Sequence, residues 1–131
     1  MRTNSIALNH SGIEAELDRF LAEVSRPGNL SREIREVLEH IHANLFDPDL
    51  NVQSIKRRCR IRDNNISCRF RHVLGITLKE YIETLRLNAA LRLLEKRFPV
   101  FDVAMAVGYL YPQTFYRAFH RKFDRTPTSA A

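Results

Sequence analysis

A chain of 131 residues, 44% hydrophobic, is long enough to bury roughly two-thirds of its unfolded surface without staples, as one compact domain or two small lobes. Its net charge is +6 and its apolar runs are only a few residues long, which excludes a membrane span. The first five residues lead into no apolar h-region, and Cys59 and Cys68 form neither a zinc spacing nor a disulfide framework, so a reduced cytoplasmic protein without a secretory signal is expected.

In chain order, residues 1–11 read as unstructured. From Gly12 to Val24 the residues Ile13, Leu17, Phe20, Leu21 and Val24 make a helical stripe. Ser25–Asn29, with Pro27 and Gly28 adjacent, is a linker. A second helix starts at the N-cap Ser31, with Glu33 in its first turn and Ile34, Val37, Leu38, Ile41 and Leu45 on its buried stripe; Asp47 and Pro48 stop it. A short helix over Val52–Cys59, a turn at Arg60–Arg62 and a helix over about Asp63–Leu74 follow, with Gly75 ending the last. Thr77 and Glu80 form a capping box, with Ile76 and Tyr81 as its staple. The helix they open runs to about Arg97 and is apolar on more than one side, so it is expected to lie buried between two bodies. A helix over about Val100–Val107, a turn at Gly108 and a helix from Pro112 to Phe123 complete the pattern; Pro112 suits a first helical turn, and Thr126 and Pro127 begin the tail. No strand-like alternation of useful length occurs. The expected fold is all-α.

One pattern occurs twice. Val52, Ile55, Cys59 and Ile61 pair with Val100, Val103, Val107 and Tyr109 at an offset of 48. Ile66, Phe70 and Leu74 pair with Phe115, Phe119 and Phe123 at an offset of 49. Each copy reads as a helix-turn-helix, whose second helix is of a size that enters the DNA major groove. The charge agrees: residues 1–50 hold five Arg against nine Asp and Glu, whereas residues 51–131 hold sixteen Lys and Arg against six Asp and Glu. The basic half, rich in Arg, is the half with the repeat, and a polyanion is its expected partner.

In the first copy Ile66, Phe70, Val73 and Leu74 are expected to point inward; in the second, Phe115, Ala118, Phe119 and Phe123. The remaining faces carry groups able to read bases: Asn64, Asn65 and Ser67 in the first copy, and Gln113, Thr114, Tyr116 and Arg117 in the second. Arg69, Arg71, Arg121 and Lys122 suit phosphates. For each residue singly, the competing reading is a solvated polar face.

The residues Ala104, Val107, Gly108 and Tyr109, then Phe115, Tyr116, Arg117, Phe119, Phe123, Thr126 and Pro127, with Gly75, Ile76, Thr77, Tyr81, Arg86, Ala89 and Leu93, resemble the AraC-type (AraC/XylS) family of bacterial transcription regulators over roughly Ile34–Pro127. The resemblance implies a seven-helix unit whose two lobes are held by the long helix. It implies recognition helices in neighbouring major-groove segments on one face of the duplex, and promoter binding as an activator, often with contacts to RNA polymerase. The departures are concentrated in the first lobe, with Tyr109 for Phe and Asp124 for Gly as mild ones in the second. Lys56 stands where the family usually has a small residue, Arg60 where it has the turn glycine, Arg62 where it has Ser, and Cys68 where an Arg often contacts DNA. Arg60 is strained if the turn needs positive φ, and the first lobe's Arg cluster could bind with little base reading.

The expected organisation is an acidic amphipathic segment and linker over residues 1–29 and a DNA-binding domain over 30–131, with lobe one at 30–76, the linker helix at 77–97 and lobe two at 98–131. The N-terminal helix is expected to cover part of lobe one; self-association through it is the alternative, and one copy is expected to bind as a monomer. Cys68, on the outward face, is read as a space-filling residue in preference to a redox switch. The five His make no metal set, and no cofactor is expected. No nucleophile–base pair or phosphate loop is present, which disfavours an enzyme. The rival to DNA binding is a helical module docking on another regulator or on polymerase.

Overall fold

A computed structural model describes residues 2–62 and 65–130, with side chains from residue 12 onward within those ranges. Among the described residues there are eight helices and no strand: α1 (Arg2–Glu23), α2 (Arg32–Ala43), α3 (Val52–Arg58), α4 (Ile66–Leu74), α5 (Leu78–Glu95), α6 (Val100–Ala106), α7 (Pro112–Phe123) and α8 (Pro127–Ala130).

The helix starts follow local chemistry. The Ser31 hydroxyl accepts from the Ile34 N–H at 3.3 Å, and the Thr77 hydroxyl from the Glu80 N–H at 3.1 Å. Asn51 and Ser54 cap α3 reciprocally, a capping box that its atypical Asn-x-x-Ser sequence conceals. Gly75 ends α4 in the left-handed region at φ +84°.

Two apolar clusters form. The first gathers α2, α3 and α4 around Ile34, Val37, Leu38, Ile41, Ile55, Ile66 and Phe70. The second gathers α6 and α7 around Val103, Val107, Phe115 and Phe119. α5 serves both in succession: Leu78 and Ile82 belong to the first, and Leu87, Ala89, Ala90, Leu93 and Leu94 to the second. This explains why its sequence is apolar on more than one side. Ala89 and Leu93 continue the stripe of Leu78 and Ile82, and Leu87, Ala90 and Leu94 bury a second side in the later part of the helix.

Arg86 stands where the two clusters meet on α5. It is buried, and it donates from Nε to the Leu45 carbonyl at 2.8 Å and from Nη2 to the Asp47 carbonyl at 2.6 Å, holding the chain that follows α2. On its other side it lies against Gly108, where a Cβ would stand 3.0 Å from the guanidinium carbon. One side chain therefore touches both lobes.

Four expectations need correction. Residues 1–11 are helical from Arg2, not unstructured; no Pro interrupts them, and helix extends cheaply from the docked turns that follow. α1 also reaches beyond lobe one. Ile13 and Leu17 join the second cluster, Phe20 packs on both, and Leu21 on the first, so α1 lies along α5. Val73 is 50% exposed: Ile66, Phe70 and Leu74 fill the inward stripe, and nothing covers Val73 at the helix end. The tail contains α8, which Thr126 caps through the Ser129 N–H and which buries Pro127.

α1 is fastened by charge as well. Glu16 is buried, its carboxylate paired with Arg19, with Arg92 at 3.2 Å and with Lys96 at 3.0 Å, and Arg92 also holds Glu23 at 2.5 Å. The hydrogen bond from Lys96 is the main reason the Glu16 carboxyl sits below its ordinary value.

Candidate DNA-binding face

The two repeat turns match bond for bond. In lobe one the Cys59 N–H reaches the Ile55 carbonyl, Arg60 reaches Arg57, and Ile61 reaches Lys56 at 2.8 Å. In lobe two the Val107 N–H reaches Val103, Gly108 reaches Met105, and Tyr109 reaches Ala104 at 3.0 Å. Every donor and acceptor keeps the offset of 48 seen in the sequence. Both turns end a helix with one left-handed residue, Arg60 at φ +58° and Gly108 at φ +104°. Arg60 thus adopts the strained conformation anticipated for a non-glycine residue at this place. Ile61 and Val107 are buried, fixing how each chain leaves its turn.

The helices that follow differ. α7 begins at Pro112, but α4 begins at Ile66, which is the equivalent of Phe115, three residues further along the pattern. The expected start at Asp63 and the expected base reader Asn64 lie outside the described residues. Asn65 is exposed and precedes α4 without a side-chain capping bond. Ser67 is half-buried, while Cys68, Arg69, Arg71 and His72 are exposed. Arg69 pairs with Glu33 of α2. Arg71 has no carboxylate within ion-pair distance among the described residues.

On α7, Phe115, Ala118 and Phe119 are buried, with ring centroids of Phe115 and Phe119 5.7 Å apart and those of Phe119 and Phe123 4.6 Å apart. Gln113, Thr114, Arg117, His120, Arg121 and Lys122 are exposed, and Tyr116 is 38% exposed. Arg121 pairs with Glu83 of α5 at 3.0 Å. An exposed pair of this kind is worth at most about 1 kcal/mol, so Arg121 can exchange the carboxylate for a phosphate. Neither α4 nor α7 is enclosed; each turns one polar, cationic face to solvent.

Other groups stabilise the lobes. His42 bonds the Tyr81 hydroxyl at 2.7 Å, and burial, with Arg26 adding to it, lowers its pKa. Burial pushes the Tyr109 phenol up to about 12, with Glu83 contributing, so its hydroxyl stays protonated. Cys59 is half-buried against the first cluster, and burial raises its thiol. Among the described residues no group of His, Cys, Asp and Glu could hold a metal, and no helix is long and apolar enough to cross a membrane.

Sequence reasoning missed the solvent exposure of Leu110 and Tyr111 at the start of α7. Tyr111 and Pro112 at a helix start, with no capping residue, were the available signal. It also missed the burial of Glu16, an acid between the apolar Ile13 and Leu17.

Comparison with known proteins adds the following. The family described as "Helix-turn-helix domain" matches residues 57–130. The regulatory protein SoxS of Escherichia coli strain K12 is 40% identical over 96 residues, covering 72% of this chain and 89% of SoxS. SoxS of Salmonella typhimurium is 38% identical over the same shares. Among solved structures, the C-terminal domain of AraT, a response regulator from Geobacillus stearothermophilus, aligns with a TM-score of 0.75 at 23% identity, covering 79% of this chain and 86% of that one. The DNA-binding domain of the global transcriptional factor AdpA, solved in complex with a target DNA, aligns with a TM-score of 0.68 at 25% identity over 76% of this chain and 89% of that one.

Proposed function

The chain belongs to the AraC-type helix-turn-helix family, and on that premise we propose that it is a DNA-binding transcription regulator, an activator that inserts α4 and α7 into neighbouring major-groove segments. The observation that carries this reading is the pair of turns with matching hydrogen bonds, each followed by a helix with one face buried and one polar face open. α5 has 18 residues, about 27 Å of helix, comparable with the roughly 34 Å between major-groove segments one turn apart. One copy carrying both helices is expected to span both segments, and binding as a monomer is the expected stoichiometry.

Base reading is assigned to Asn64, Asn65 and Ser67 in lobe one and to Gln113, Thr114, Tyr116 and Arg117 in lobe two. Arg69, Arg71, Arg121 and Lys122 are assigned to phosphates. Lobe two is the principal reader, because α7 carries a full exposed first turn, whereas α4 is shorter and its Ser67 is half-buried. The apolar stripe of α1 is used against α5, which favours an intramolecular role for that helix over self-association. RNA polymerase is the partner expected for activation. No catalytic step is assigned.

Selection of bound fragments from a random-sequence pool tests the reading. The expected outcome is a motif with two conserved blocks about one helical turn apart, the block under lobe two being the stronger. Recovery of fragments with no common motif, or no binding at low salt, refutes it.

A further inference from the structure

Two exposed side chains at the start of α7 have no task inside the protein. Leu110 is 55% and Tyr111 70% exposed, and they form the turn from Tyr109 into Pro112. Tyr111 occupies the N-cap position of α7, yet its side chain makes no capping bond. At α2, α3 and α5 the residues in that position, Ser31, Asn51 and Thr77, all make one, whereas Asn65 at α4 and Pro99 at α6 do not. The Tyr111 backbone, at φ −119° and ψ 119°, is extended, the conformation a capping Ser adopts without strain. This residue therefore forgoes a helix cap and holds an aromatic ring in water.

Its surroundings are polar and cationic. Gln113, Thr114 and Arg117 are exposed on the same helix, and residues 51–131 carry sixteen Lys and Arg against six acids. An apolar pair rimmed by such groups suits a partner that is apolar and anionic at once. Duplex DNA offers both complements: phosphates for the cations, and deoxyribose carbons and thymine methyls for the apolar pair. The leading end of a recognition helix is where such groups come within reach.

We propose that Leu110 and Tyr111 form an additional, specificity-determining DNA contact beside the bases met by Gln113 and Thr114. This rests on the reading of α7 as a recognition helix. The Tyr111 ring packs on a thymine methyl and the adjoining sugar, and Leu110 extends the apolar contact. The contact adds affinity and a preference for thymine at one position of the site.

The variant Tyr111→Ser separates this role from a structural one, because its two effects have opposite signs. With the full chain and an operator selected from the random pool, Tyr111→Ser should melt about 3 °C higher, through the restored cap, yet bind about tenfold more weakly. Replacing operator thymines one at a time by uracil should weaken wild-type binding at one position that Tyr111→Ser no longer senses. Unchanged affinity in Tyr111→Ser overturns the proposal, as does an affinity loss accompanied by a lower melting temperature. So does unchanged DNA binding with lost activation in a purified transcription assay, which would give the pair to a protein partner. If the wild-type chain itself selects no operator, it is the function proposed above that fails.

Discussion

Arg60 and Gly108 hold the same place in two turns with the same hydrogen bonds, and only one of them suits it. A left-handed conformation costs a side-chain-bearing residue about 1–2 kcal/mol, partly offset by the entropy glycine loses on folding. Arg60→Gly is therefore expected to stabilise the chain by about 0.5–1 kcal/mol in urea unfolding. Gly108→Ala should do the reverse and cost about 2 kcal/mol or more, because the new Cβ would meet the Arg86 guanidinium at 3.0 Å as well as the strained φ. Arg117→Ala should cost about 1–3 kcal/mol of binding and relax specificity at one position. An equal loss on every sequence would reassign Arg117 to phosphate. Much at this scale was legible: the inward residues of α7 follow from spacing, and the strain at Arg60 follows from the family resemblance, which puts a glycine at that turn. The exposure of Val73 was not, since periodicity gives a side chain's direction but not whether anything stands opposite it.

Among the elements, α5 does the joining, and Arg86 is its least replaceable member. Arg86→Leu would strip the Leu45 and Asp47 carbonyls of buried donors, and a loss of at least about 2 kcal/mol is expected in urea unfolding. α1 is held by a carboxylate, which ties it to acidity. The Glu16 pKa lies below its ordinary 4.5, chiefly through the Lys96 hydrogen bond, so the unfolded chain binds its proton more readily. Its stabilisation is present above about pH 4.5 and lost as pH falls through the lower folded value. His42, depressed by burial below 6.5, acts in the same direction from a higher pH. Stability should thus fall in acid over two windows, and Glu16→Gln should flatten the lower one when urea midpoints are followed against pH. The helices of both repeats and the caps at Ser31 and Thr77 could be read from the sequence. The extent and seat of α1 could not, because an amphipathic stripe says that a face is covered without saying by what.

For the molecule as a whole, affinity is expected to fall steeply with salt, each phosphate met by Lys or Arg adding about 0.9 to the slope of log K against log salt. Replacing Arg71 with Ala should lower that slope by about one while leaving the selected motif unchanged, measured by titration on operator and random DNA. The doubled pattern and the charge division between residues 1–50 and 51–131 announced the two-lobed, polyanion-seeking character. That the long helix joins the lobes was legible too; the part Arg86 plays in the junction was hidden, because a buried Arg bonded to carbonyls of a distant loop has no local sequence signature.

That junction carries a further consequence. A regulator that pairs two copies through a pliable tether can often tolerate a few base pairs added between its half-sites. Here one guanidinium grips the loop of one lobe and abuts the turn of the other, so the molecule is expected to act as a caliper held at a single opening. On the function proposed above, its sites are expected to come ready-spaced, and inserting a base pair between the two blocks should cost as much as erasing one of them.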